Sequence, residues 1–387
     1  MKNAFINEYE TKQALAEFIV KAQRLSMDHH CFEFEKAFAS YQNRKYAVLF
    51  NSGGSANLAI IQTLANLGLL KKDDKIGFSA LTWSTNVMPI IQLGFVPVPI
   101  DCEKKTLNMM SYNLEERLSS VELKALFITN ALGFAGDLDV IRNICNEHRI
   151  ILIEDNCESL GTELPAGKTG NFGIVSSFSF YVAHHMSTIE GGMVCTDDEN
   201  IAEMLTIVRA NGWDRNLNSE QQFRWRKKMH IRSEFDAKYS FYDLGFNFRP
   251  TEITGFLGLR QLQFLEEAID RREKNYRRLN KIIESNADLL PLDHSHISRL
   301  SSFCLPVLCK TPTLREKYLF QFSGAGIEIR PMIAGNMQNQ PFYNKYVQNK
   351  YDLPETDFIH NCGFYSGNYP ELTETDLEVI SSCLRAQ

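Results

Sequence analysis

Three stretches of the chain hold side chains whose type and spacing suit chemistry. The first ends in Asp155, which with Glu154 closes the apolar run 150–153. A strand written this way carries its carboxylate from the core into the cleft at its C-terminal end, where a desolvated charge needs a cationic partner. A protonated pyridine nitrogen would serve, as it does where a protein keeps pyridoxal phosphate an electron sink; capping of the following helix accounts for the same residue. The second stretch is Asn51-Ser52-Gly53-Gly54-Ser55-Ala56-Asn57. Small side chains, free backbone N–H groups and a helix dipole together suit a phosphate. An ordinary strand-to-helix turn, with the helix beginning near Ser55 and Ser55 as N-cap, reads from the same residues. The third is residues 179–192, where His184-His185 precede Gly191-Gly192. Adjacent imidazoles are proton carriers near neutral pH, or loop residues satisfied by their neighbours.

These residues need a frame. Short apolar runs at Tyr46–Phe50, Val96–Ile100, 125–128 and 150–153 alternate with helical patterns, which predicts a mostly parallel sheet covered by helices. Each run ends in polar residues, at the edge where open α/β sheets bind ligands. Residues 175–195 read as strand, loop, strand, followed by a helix over 201–210. Beyond Pro250, apolar positions from Ile253 to Ile283 recur at helical spacing and predict one long helix leaving the first domain. Arg271-Arg272 and Arg277-Arg278 are then its solvated face. The expected division is a large domain over 1–250, then the connecting helix and a smaller α+β domain over 251–387.

Composition excludes much else. With 44% hydrophobic and 23% charged residues in 387, the chain has ordinary globular make-up. A net charge of −6 gives no pull toward nucleic acid or anionic lipid, so any anionic substrate must meet local cations. No apolar leader run opens the sequence and no stretch reaches the roughly 18 apolar residues of a membrane span, so the expected location is cytoplasmic. Nine scattered cysteines form no CxxC pair, and no metal site is expected.

The segments Ser52 to Asn57, Thr82-Trp83-Ser84-Thr85, Glu154-Asp155-Asn156, the 179–192 loop, Gly245-Phe246-Asn247-Phe248-Arg249-Pro250 and Arg330-Pro331 together resemble the DegT/DnrJ/EryC1/StrS sugar aminotransferase family. The resemblance implies a type I aminotransferase fold: an α/β large domain with a mostly parallel seven-stranded sheet, and a smaller C-terminal α+β domain. It implies pyridoxal or pyridoxamine phosphate as cofactor. Trp83 would stack on the ring and Asp155 would pair with its nitrogen, while Gly53, Gly54, Ser55 and Ser179 would hold the phosphate, with Glu158 nearby. Asn247 would reach the phosphate bound to a neighbouring subunit, which implies a homodimer with shared active sites.

The family's cofactor-linked lysine stands seven residues before Gly191, and here that position is His184. Imidazole cannot form a Schiff base with an aldehyde, so the resemblance narrows to the family's 3-dehydratases. These remove the 3-hydroxyl of a 4-keto-6-deoxy nucleotide sugar and draw their amine from glutamate. Cys304 and Cys309 lack the spacing of the iron–sulfur kind, whereas residues 209–217, 330–336 and 363–368 resemble the GDP-sugar kind; Asn211 departs from it, standing where that kind has histidine. His184 would be the proton carrier and His185 a substrate contact. Arg249 and Arg330 each precede a proline and can fork onto a carboxylate or phosphate; an ion pair tying the domains together is their other reading. An aminotransferase using His184, and a cofactor-binding regulator without turnover, stay open.

Overall fold

The computed structural model describes residues 3–385. Its strands are β1 Tyr46–Phe50, β2 Lys75–Ser79, β3 Val96–Ile100, β4 Ala125–Thr129, β5 Ile151–Asp155, β6 Glu163–Leu164, β7 Gly167–Lys168, β8 Val175–Ser179, β9 Gly192–Thr196, β10 Cys304–Leu308, β11 Ile329–Pro331 and β12 Gly363–Gly367. Seven of them form one sheet in the order β1-β9-β8-β5-β4-β2-β3. The pairs from β8 to β3 are parallel, and only β9 runs against its neighbours. Strands buried on both faces read as unbroken apolar runs, which explains why β4 and β5 are so plain in the sequence. β10, β12 and β11 make a separate antiparallel sheet, whose core includes Tyr276, Leu279 and Ile283 from the helix Leu265–Ser285.

β9 sets the geometry of the functional edge. Its first residue, Gly192, pairs with Phe50 on one side and Ser179 on the other. A Cβ on Gly192 would lie 2.3 Å from the Ser52 carbonyl oxygen. Glycine is therefore required for the turn after β1 to cross this strand end.

Four details differ from the sequence reading. β2 adds a strand that the charged Asp73-Asp74-Lys75 approach and Gly77 had hidden. The helix after β1 begins at Gly53 rather than Ser55, with the Ser52 side chain as its N-cap, accepting from the Ser55 N–H at 3.0 Å. The expected single long helix is two, Glu252–Leu262 and Leu265–Ser285, because their apolar faces serve different cores. The first packs on the helix His29–Gln42 and the second on the small sheet. Arg271 is exposed and paired with Glu267, but Arg272 is not solvated: it is only 5% exposed. No helix among the described residues is long and apolar enough to cross a membrane.

Gly258 marks how closely the first of these helices approaches. A Cβ there would meet three ring atoms of Phe34 at 2.3–2.5 Å. Gly258→Ala is expected to lower stability by about 1–3 kcal/mol, the usual range for overpacking. Urea unfolding measures it, and adding Phe34→Leu should recover part of the loss.

Candidate active site

The site assembles on the edge formed by the C-terminal ends of β1, β5 and β8. Asp155, last in β5, is 4% exposed. Its Oδ2 accepts from the side-chain amides of Asn57 and Asn86, each at 2.8 Å, and its Oδ1 accepts from the Cys157 N–H at 2.8 Å. Three N–H donors therefore meet the carboxylate, and the Cys157 thiol, a weaker donor, is also bonded to it. The carbonyl oxygens of Asn57 and Asn86 are buried without partners, which shows both amides turned for the sake of this carboxylate.

The turn after β1 lies beside it. A Cβ on Gly53 would stand 2.7 Å from Ser179 Cβ and 3.1 Å from Cys157 Sγ. Gly53, Ser179 and Cys157 therefore share one small space. The N–H groups of the first helical turn, at Gly53 and Gly54, have no intrahelical acceptor and point out of the helix end. Trp83 is 55% exposed, immediately before the short 3-10 turn Ser84–Asn86 that delivers Asn86 to Asp155. Glu158 accepts from the Leu132 N–H at 2.9 Å; burial lifts its carboxyl to about 7, with the Asp155 charge adding to the effect.

His184 joins this cluster through Cys157. Its Nδ1 lies 2.6 Å from the Cys157 carbonyl oxygen. A carbonyl only accepts, so Nδ1 carries the proton and Nε2 keeps the lone pair. The ring stands edge-on to Phe303, with centroids 5.3 Å apart. Burial pushes its pKa down to about 4, with the Arg272 charge assisting, so the imidazole is neutral at pH 7 rather than titrating near 6.5. Lys168 has no part here: its Nζ donates to the Tyr41 carbonyl at 2.9 Å.

Other expected residues lie elsewhere. His185 is 2% exposed; its Nε2 bonds the Ser301 carbonyl at 3.0 Å, and its Nδ1 is buried without a partner. Asn247 and Arg249, bonded to each other at 3.1 Å, line a separate cavity of about 510 Å³ with Arg24, Arg215 and Asn216. Arg330 is exposed, paired with Glu328, and lines a cavity of about 570 Å³ that also holds Ala183, Phe303 and Tyr365. Asn86, Arg272 and Phe303 escaped the sequence reading. Asn86 directly follows the quoted Thr82 to Thr85 segment, which was its available signal; the other two carry none.

The fold and this cluster define the class. The family model for the DegT/DnrJ/EryC1/StrS aminotransferase family matches residues 7–385, and the chain belongs to that family. It is 32% identical over 359 residues to the GDP-4-keto-6-deoxy-D-mannose 3-dehydratase of Yersinia pseudotuberculosis, covering 91% of this chain and 89% of that one. The enzyme of the same name from Escherichia coli O55:H7 is also 32% identical, over 94% and 92%. A crystal structure of GDP-4-keto-6-deoxymannose-3-dehydratase with a trapped PLP-glutamate geminal diamine superposes with a TM-score of 0.89 at 29% identity, covering 97% of each chain.

The lowered pKa of His184 has a thermodynamic consequence. The unfolded imidazole binds a proton near pH 6.5 and the folded one only near 4, so the unfolded state gains protons first as the pH falls. Stability should be full above pH 6.5 and lost progressively from there down to 4, by on the order of 2–3 kcal/mol from this residue. His184→Asn keeps a donor for the Cys157 carbonyl but cannot titrate. Urea unfolding at pH 4.5 and 7.5 should show a smaller difference for the variant than for the parent chain.

Proposed function

We propose that this chain is a pyridoxamine/pyridoxal phosphate-dependent 3-dehydratase of a GDP-linked 4-keto-6-deoxy sugar, using glutamate as amino donor. The observation that carries the reading is His184. Where the family resemblance places a cofactor-linked lysine, the structure has a neutral imidazole fixed by the Cys157 carbonyl, a proton carrier without an amine. Similarity to two 3-dehydratases along nine-tenths of the chain supports the substrate class.

The residues fit the cofactor. Asp155 is a buried carboxylate at the strand end, suited to a pyridinium N–H, and the helix start at Gly53 and Gly54 beside Ser179 offers backbone amides to a phosphate. When bound, the cofactor supplies an amine that condenses with a carbonyl and a ring that absorbs electrons. Gly53, Gly54, Ser55 and Ser179 hold the phosphate, while Asp155 fixes the ring orientation and Trp83 covers the ring's outer face. His184 accepts a proton at Nε2 and returns it to the departing 3-hydroxyl oxygen. Arg330 receives the carboxylate of glutamate. Asn247 and Arg249 complete the site of a second subunit in a homodimer, which accounts for their lying in a different cavity from Asp155.

Incubation with glutamate and GDP-4-keto-6-deoxymannose should release ammonia and a sugar one oxygen poorer. Nitrogen retained in the sugar would favour an aminotransferase, and no 2-oxoglutarate at all would favour a non-catalytic protein. His184→Asn should bind the cofactor yet lower dehydration by at least about 100-fold, the usual worth of a proton-transfer group. Arg330→Lys should raise the glutamate concentration needed for half-maximal turnover about tenfold, because an ammonium cannot reproduce the guanidinium fork. Unchanged glutamate dependence would move that site elsewhere.

A further inference from the structure

Arg272, on the helix Leu265–Ser285, is a buried cation that feels the Glu371 charge without an ion pair to it. Among the described residues no carboxylate forms an ion pair with it. Its partners are instead backbone carbonyls from three separate segments. Nη1 donates to Phe303 O at 2.9 Å and to Asn368 O, and Nη2 reaches His184 O at 3.5 Å. Asn368 answers: its side-chain amide donates to the Arg272 carbonyl at 2.9 Å and toward Ser302 Oγ at 3.3 Å. Burying a guanidinium among neutral acceptors is costly, since each missing partner leaves a desolvated donor. One such donor, Nε, is indeed unpartnered.

The three segments converge on one ring. Residue 184 carries the imidazole, Phe303 stands edge-on to it at 5.3 Å, and Asn368 follows β12, whose Tyr365 meets Phe303 at 6.3 Å. Holding the Phe303 and His184 backbones from a single planar group fixes the separation of the two rings. The Cys157 carbonyl then fixes the other side of the imidazole. Without the guanidinium, the 181–185 loop and the strand entering β10 would be joined only by side-chain packing and the His185–Ser301 bond.

We infer that Arg272 is a positioning residue for His184, clamping its loop to the small domain so that Nδ1 stays on the Cys157 carbonyl and Nε2 stays free. This rests on the proposed role of His184 as proton carrier. It goes beyond that reading by naming the group that aims the imidazole.

The test uses the holoprotein of Arg272→Met and Arg272→Lys, read by steady-state kinetics and by ring nitrogen shifts of ¹⁵N-labelled histidine. His184→Asn assigns the His184 signals. In the parent chain those signals should show the Nδ1–H form. Arg272→Met should fold and keep its cofactor. Its kcat should fall on the order of 10- to 100-fold with little change in KM for the sugar, the cost of a misplaced group of about 1 Å. Its His184 signals should move toward a mixture of ring forms, and lysine, reaching fewer carbonyls, should restore part of both losses. Parental kcat together with an unchanged His184 signal in folded Arg272→Met would overturn the inference. If Arg272→Met does not fold, Arg272→Lys decides: a reduced kcat with altered signals supports positioning, and parental values in both show a purely structural residue. If the parent chain does not dehydrate the sugar, the proposed function fails, while the ring signals of the two variants still decide the role of Arg272.

Discussion

A carboxylate drawn out of water at the end of β5 governs the architecture of the site. Asp155 has no cation beside it among the described residues, so its charge is met by three N–H donors. An uncompensated charge at that depth would cost several kcal/mol. Each donor comes from a different place: Asn57 from the helix behind the turn after β1, Asn86 from the turn after β2, and Cys157 from the chain just beyond. Satisfying one charge therefore fixes three segments. The effect propagates, because Cys157, whose N–H donates to Asp155, also presents its carbonyl to His184. Two hydrogen bonds in series thus connect the buried acid to the tautomer of the imidazole.

Close approach of backbone is the second constraint. The turn after β1 can lie over β9 only because Gly192 lacks a side chain, and it can lie against Ser179 only because Gly53 does. These glycines bring the free amides of a helix end to within a side chain's reach of the acid, which is what a ligand with a phosphate at one end and a basic nitrogen at the other requires.

Charge is distributed to the same end. The chain is acidic overall, yet Arg24, Arg215 and Arg249 share one cavity and Arg330 stands in another. Positive charge is thus concentrated locally and not spread over the molecule, although Arg24 and Arg330 are themselves paired with Asp28 and Glu328. Arg272 lines the cavity of Arg330 as well, but its guanidinium is bonded to backbone carbonyls, joining the segment before β10 to the loop that carries His184.

The sequence by itself determined the parallel sheet and its polar edge, and singled out Asp155, Ser179 and His184, which the fold brings together there. Those follow from local pattern: apolar runs of strand length, polar residues at their ends, and a loop whose spacing matches a family. It did not determine the N-cap, since Ser52 and Ser55 are chemically alike and only the chain's path over Gly192 chooses between them. It misread Arg272 as solvated, because a doublet of arginines on an amphipathic helix looks the same whether one is covered by another domain or not. It could not show that the His185 ring bonds the Ser301 carbonyl. Tertiary structure decided these matters, and the protonation of His184 as well, because burial and hydrogen-bond partners come from residues more than 20 positions away, which no local spacing records.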